Sequence, residues 1–169
     1  MKSKKTHLPV FGIGPIFIVS LFLITFIFTL INYLGYLDLF IIDKYRFLFF
    51  FVGSLLIIEG LFIWICAVFF SRIDKNIKQN KLVTSGVYKY VRNPIYSAFI
   101  FLFSGVLFIN HNYLLLLIPF LFWLSLTIIM IKTEEKWLID KYGKEYTDYC
   151  KKTNRCIPFF PKKYIKENN

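Results

Sequence analysis

The sequence predicts an all-α, polytopic membrane protein with about four transmembrane helices and a C-terminal amphipathic helix along the interface. Three observations carry this expectation. Four apolar runs are separated by short polar segments, the basic residues are segregated to one side of those runs, and the tail has helical rather than strand periodicity. The chain is 57% hydrophobic with a mean hydropathy of +0.57, far above a soluble domain of 169 residues. It reads as a single membrane unit, 1–169, with an N-terminal two-helix part (1–81) and a C-terminal core (82–160).

The first span runs from about Ile13 to Leu34, the second from about Phe47 to Phe70, the third from about Ile95 to Ile109 and the fourth from about Tyr113 to Ile131. A helix rises about 1.5 Å per residue, so roughly 20 residues cover a hydrocarbon core of about 30 Å. The third run is short for this and requires its flanks or a thinner bilayer. His111 and Asn112 leave room only for a tight turn, so the third and fourth spans form an antiparallel hairpin. Pro119 removes a backbone donor within the fourth span, and a kink is expected there.

Charge sets the orientation. Of the 21 basic residues, 19 fall in the N-terminus, the 71–93 loop and the tail, leaving Lys44 and Arg46 on the other side. The positive-inside bias puts both termini, that loop and the tail in the cytoplasm. In the tail, Ile131, Trp137, Leu138, Tyr142, Tyr146 and Tyr149 recur at helical spacing. This predicts a helix leaving the fourth span and lying along the interface, its tyrosines at headgroup depth and its lysines toward anionic lipid. Gly143 is a candidate break, and Ile157-Pro-Phe-Phe-Pro161 ends the helix.

A formal charge of +11 raises nucleic acid as a partner. That reading is rejected because the charges flank apolar spans and form no separate soluble patch. Cys66, Cys150 and Cys156 are odd in number and lack zinc or disulfide spacing, so neither a metal nor a disulfide is assigned. There is no phosphate-binding loop, no dinucleotide fingerprint and no Ser/His/Asp set; the two histidines are His7 and His111.

The polar residues with chemical potential are few. Glu59 is the one carboxylate inside a span, where a functional role and a packing role weigh about equally. Glu134 and Glu135 are adjacent, so on a helix they point about 100° apart. One can meet a ligand while the other bonds a nearby Arg or Lys; the plain alternative is a solvated helix start. Arg92-Asn93-Pro94 opens the third span, with Asn93 as an N-cap and Pro94 at the first helical position. An arginine beside a helix N-terminus suits a carboxylate or phosphate as well as a positive-inside anchor. Gly86 permits a turn before Tyr88 and Tyr90, which serve equally well as ligand contacts or interfacial belt residues.

Taken in order, Thr84-Ser-Gly-Val-Tyr-Lys-Tyr-Val-Arg-Asn-Pro-Ile-Tyr96, the apolar hairpin, Glu134-Glu135, Lys141-Tyr-Gly-Lys-Glu-Tyr146 and Arg155-Cys-Ile-Pro158 resemble a known pattern. It is that of the isoprenylcysteine carboxyl methyltransferase and phospholipid methyltransferase superfamily, small helical membrane enzymes that use S-adenosylmethionine. The resemblance covers about residues 82–160. It implies that Tyr88, Arg92, Asn93, Tyr96, Glu134 and Glu135 line a cofactor pocket, and that Arg92, Glu135 and Arg155 act on the reacting groups, with Arg155 pairing an anionic group of cofactor or substrate. It also implies a pocket open sideways to a lipid tail. Two positions depart from the pattern: Asn93 stands where the family usually has His, and Ala98 where it usually has Gly.

The chemistry asked of such a site is modest, because the cofactor supplies an activated methyl. A carboxylate acceptor needs no general base and an amine acceptor does, so the scarcity of bases leans toward O-methylation of an isoprenylcysteine-type acceptor. The alternatives are a phospholipid amine N-methyltransferase, an NADPH-dependent relative of sterol-type reductases, and a non-catalytic helical scaffold.

Overall fold

The computed structural model describes residues 13–70 and 81–158. The expectations placed on Lys2, Lys4, Lys5, Arg72, Lys75, Lys78, Phe159 to Pro161 and the last lysines lie outside the described residues. Among the described residues, six α-helices follow in order: α1 (Gly14–Tyr33), α2 (Arg46–Ile65), α3 (Pro94–Ile109), α4 (Leu117–Lys132), α5 (Glu134–Tyr142) and α6 (Lys144–Lys152). A π-helical turn, Cys66–Phe70, prolongs α2. Three helical stretches are long and apolar enough to cross a membrane, and α3 is a shorter apolar helix. The chain is an integral membrane protein with the all-α, polytopic architecture predicted from its apolar runs.

The short α3 is the centre of the bundle. It packs against α1, α2 and α4, and 7 of its 16 residues are buried. A helix covered on several sides needs less contact with lipid, so its length is not dictated by bilayer thickness. On one side, Phe103 and Leu107 join Phe17 and Leu21 of α1 and Ile118, Phe122, Leu126 and Met130 of α4 in an apolar core.

On the other side α2 and α3 approach at backbone distance. A Cβ added to Gly53 would lie 2.7 Å from the Gly105 carbonyl oxygen, and one added to Gly105 would lie 2.5 Å from that of Gly53. One heptad further along, a Cβ on Gly60 would lie 2.7 Å from the Ala98 carbonyl oxygen. The missing side chain of Gly60 thus lets α2 come against the backbone of α3 at Ala98 and Leu102. This is the small-residue packing by which membrane helices gain dispersion contacts that lipid cannot replace.

At one end of the bundle the α3–α4 turn is locked to the α1–α2 loop. The His111 backbone turns through φ 41°. The fully buried Asn112 donates its side-chain amide to Asn32 Oδ1 at 2.7 Å and to the Leu37 carbonyl at 3.0 Å. Its own Oδ1 accepts from the Leu114 amide at 3.0 Å. The antiparallel hairpin expected from the two-residue turn is present.

Pro119 behaves otherwise than expected. It is the third residue of α4, just after the tight turn Leu114–Leu116, so its missing donor falls in the first helical turn and no mid-span kink is required. Glu59 sits on the exposed outer side of α2.

Candidate functional site

The opposite end of the bundle gathers four segments: the N-terminus of α1, the loop before α3, the start of α5, and the residues after α6. The chain leaves α4 through Thr133, at φ −126° and ψ −86°, whose hydroxyl donates back to the Ile129 carbonyl at 2.7 Å. This back-bond competes with the ladder and breaks the helix before Glu134. Gly143, at φ 55° and ψ −123°, breaks it again, in a conformation open only to glycine. These two breaks fold α5 and α6 back over the loop.

The sequence reading set the tail tyrosines at headgroup depth; the structure turns two of them inward. Tyr146 and Tyr149 are buried, their ring centroids 6.1 Å apart. Tyr149 donates its hydroxyl to the Tyr88 carbonyl. An amphipathic helix buries its apolar stripe against whatever apolar surface is nearest, and here that is the protein's own loop. Lys144, Lys151 and Lys152 remain exposed.

The strand-like run after α6 then pairs with the loop. Val91 and Asn154 form a parallel bridge, the Arg92 amide donates to the Asn154 carbonyl at 2.8 Å, and the Asn93 amide donates to the Arg155 carbonyl at 3.2 Å. Asn93 was expected to cap α3 with its side chain. It occupies the N-cap position, but its amide nitrogen donates to the Arg155 carbonyl at 3.2 Å. A second donor to one carbonyl holds the tail in register more tightly than a cap would hold α3.

The two glutamates diverge as adjacent helical residues must. Glu135 is buried and receives Arg155 in a two-point grip, Nε to Oε1 at 2.6 Å and Nη2 to Oε2 at 3.0 Å. Arg92 Nη2 lies 3.1 Å from the same Oε1. Glu134 is half-buried and accepts the Tyr96 hydroxyl at 2.6 Å. Arg155 thus grips a carboxylate of its own chain.

Four further residues belong to this cluster and escaped sequence reasoning. The Arg92 guanidinium also contacts the Cys150 thiol. Gly14 lies against the Tyr96 ring, where a Cβ would come 2.8 Å from the hydroxyl. Tyr146 and Tyr149 form the floor. Only the spacing of the two tyrosines was visible in the sequence. Cys150 and Gly14 join through folding and carry no local signal.

Burial sets the charge state of the surrounding groups. It pushes the Tyr88 phenol up to about 12 and raises those of Tyr146 and Tyr149. It pushes the Cys156 thiol up to about 11. The Arg155 guanidinium is held more firmly protonated by its hydrogen bond to Glu135. The phenols and the Cys156 thiol are thus neutral hydrogen-bonding groups around two arginines and two glutamates. Among the described residues, Arg92 Nε is buried without a hydrogen-bond partner. His111 lies at the other end of the bundle, near Asp43.

Among the described residues, grooves flank the bundle at two places. One, of about 310 Å³, is at the far end among Thr29, Asn32, Asn110 and His111. The other, of about 200 Å³, is apolar, lies between α2 and α3 and includes Gly60, Trp64, Ala98 and Phe99. The second begins two residues from Tyr96 on the same helix.

The chain is 35% identical over 89 residues to a protein-S-isoprenylcysteine O-methyltransferase of Schizosaccharomyces pombe, covering 52% of this chain and 37% of the relative. It is 34% identical over 116 residues to the protein of the same name from Saccharomyces cerevisiae, covering 64% of this chain and 48% of the relative. The chain therefore spans less than half the length of either relative. The phospholipid methyltransferase family matches residues 47–145, from the start of α2 through the glutamate pair into α6. That match takes in more than half of the chain, and the protein belongs to the phospholipid methyltransferase family.

Proposed function

We propose that the chain is an S-adenosylmethionine-dependent methyltransferase acting at the membrane surface, and that it O-methylates the carboxylate of an isoprenylcysteine-type acceptor. The observation that carries this reading is the convergence on Glu134 and Glu135 of Arg92 and Tyr96 from one distant segment and Arg155 from another. A scaffold has no need of two carboxylates held in different environments a residue apart. Both named relatives are isoprenylcysteine O-methyltransferases, which favours a carboxylate as acceptor.

The residues fit a zwitterionic amino-acid moiety with a cationic sulfonium. Glu134, half-buried and bonded to Tyr96, suits the ammonium group. Arg92, with its unspent Nε, suits the carboxylate. Tyr88 and Asn93 complete the wall. Bound here, S-adenosylmethionine supplies a methyl on sulfur that is already activated toward attack.

The rest falls to this chain. Glu135 holds both guanidinium groups in fixed orientation before any ligand arrives, and such preorganisation lowers the cost of binding. Arg155, anchored by Asn93 through its carbonyl, steers the acceptor carboxylate. A carboxylate acceptor has no proton to lose, so no base is required. The apolar groove beside Ala98 and Trp64 suits the isoprenoid tail and excludes water from that flank.

The polar cluster faces the cytoplasm in this reading. Lys81, Lys89, Lys132, Lys136, Lys141 and Lys144 belong to its end of the bundle, against Lys44 and Arg46 at the other.

A second reading, N-methylation of a phospholipid amine, is favoured by the family that matches residues 47–145. Transfer from labelled S-adenosylmethionine in nanodiscs separates them, with an N-acetyl-S-farnesylcysteine acceptor against phosphatidylethanolamine. A methyl ester releases volatile methanol in alkali, whereas an N-methyl group does not. Label on neither acceptor, together with NADPH oxidation on a sterol-like alkene, would instead identify a reductase.

A further inference from the structure

The groove of about 310 Å³ at the end remote from the glutamate pair lies between α1 and α3. Its volume falls at the lower end for small-molecule sites, about 300–1,000 Å³. Thr29, Asn32 and Tyr33 line it from α1, and Val106, Ile109, Asn110 and His111 from α3 and the turn after it. Amides and a hydroxyl thus stand among apolar side chains, which suits an amphiphile.

The hydrogen bonding of this groove is lopsided. Asn112, buried beside it, makes bonds of 2.7 and 3.0 Å as a donor and 3.0 Å as an acceptor. Asn32 Oδ1 takes the first of these. The Asn32 amide nitrogen, by contrast, reaches Asn110 Oδ1 at 3.4 Å. The Asn110 amide nitrogen donates to the Val106 carbonyl at 2.8 Å and reaches Thr29 Oγ1 at 3.4 Å. Contacts of 3.4 Å lie beyond the usual range of about 2.7–3.2 Å. One turn inward from Thr29 on the same face of α1, the buried Thr25 hydroxyl has no hydrogen-bond partner among the described residues. Buried polar side chains are paired in the great majority of structures, so this one calls for a partner. The capacity left over is in N–H and O–H donors, and the group that matches it is an acceptor.

Among the described residues no lysine or arginine lines the groove, so that acceptor is neutral and not a phosphate or a carboxylate. Position narrows it further. Asn32 and Tyr33 end α1, and Asn110 and His111 follow the last residue of α3. The groove therefore sits at a membrane interface, where the glycerol esters of lipids lie between headgroup and hydrocarbon. Val106 and Ile109 offer apolar contact to a chain leaving such an ester. We propose that the groove binds a diacyl glycerolipid of that leaflet by its ester carbonyls, which accept from the Asn32 and Asn110 amides and, deeper, from the Thr25 hydroxyl. The site is separate from the polar cluster and independent of the chemistry proposed there.

Thermal unfolding of the delipidated full chain in maltoside micelles tests it with two short-chain phosphatidylcholines. One is a diester; the other is its diether analogue, which keeps the headgroup and chains and lacks both carbonyls. The diester is expected to raise the unfolding midpoint saturably and to be retained in native mass spectrometry, and the diether to do neither. Thr25→Val keeps the side-chain shape and removes the unpaired hydroxyl. It is expected to weaken diester binding by about 2- to 10-fold, the share of one neutral hydrogen bond. Asn110→Leu is expected to abolish the preference for the diester. Equal stabilisation by both lipids means apolar filling alone and overturns the proposal. So does stabilisation by glycerophosphocholine, which is a headgroup effect. A diester preference that survives in both variants overturns it as well, because the lipid then sits elsewhere, as in the α2–α3 groove.

Discussion

Arg155 grips Glu135 with two hydrogen bonds, at 2.6 and 3.0 Å, across 20 residues of sequence that include the helix break at Gly143. With Arg92 at 3.1 Å from the same carboxylate, one acidic side chain joins the loop before α3 to the tail. The pairing makes Glu135 a keystone of the folded cluster, while Glu134 is left half-open beside Tyr96. The two positions therefore call for different experiments.

We expect Glu135→Ala to lower folding stability by about 3–5 kcal/mol, because it strands two guanidinium groups in a largely buried place. Glu134→Ala is expected to leave the melting temperature almost unchanged while weakening S-adenosylmethionine binding by 10-fold or more. Thermal melts in detergent and calorimetric titration of each variant check the split. Equal destabilisation by both substitutions contradicts the assignment.

Tyr96→Phe removes the hydroxyl that orients Glu134 and keeps the ring against Gly14. A hydrogen bond to a charged group contributes about 1.5–3 kcal/mol, so an affinity loss of roughly 10- to 100-fold is expected if the full bond is expressed in binding. Gly14→Val drives a branched side chain into the same hydroxyl and should weaken binding in the same direction. Titrations with the demethylated product, S-adenosylhomocysteine, measure both without turnover.

The α2–α3 contact is expected to tolerate no added bulk. Gly105→Ala forces a methyl to 2.5 Å from the Gly53 carbonyl oxygen, and overpacking of this kind costs about 1–3 kcal/mol. Ala98→Gly is expected to cost about 1 kcal/mol, because it removes a buried methyl and places a glycine inside a helix. Unfolding midpoints in mixed micelles compare the two.

Alkaline pH should destabilise the tail before the membrane bundle. Burial raises Tyr88 from 10.0 to about 12 and Cys156 from 9.0 to about 11. In both cases the folded chain keeps a proton that the unfolded chain loses. Stability from this source is therefore unchanged below about pH 9 and falls as pH rises toward 12. Melting curves from pH 7.5 to 10.5 should be flat and then decline, with the onset moved about one unit higher in Cys156→Ala.

Much of this protein was legible from residue order. Hydrocarbon favours helices, which satisfy their own backbone, so three spanning helices, the shorter apolar α3 and the hairpin at His111 were legible in the apolar runs. The adjacency of Glu134 and Glu135 dictated that they diverge, and the basic residues separated the two ends of the bundle. What remained hidden depends on contacts between distant segments. That Arg155 would grip Glu135, that Asn93 would bond the tail and not cap its own helix, and that Pro119 would begin α4 and not bend it are outcomes of how segments meet. The inward turn of Tyr146 and Tyr149 is of the same kind. A local pattern shows that a helix has an apolar stripe, but the identity of its covering surface depends on two breaks, at Thr133 and Gly143, whose angles no periodicity encodes.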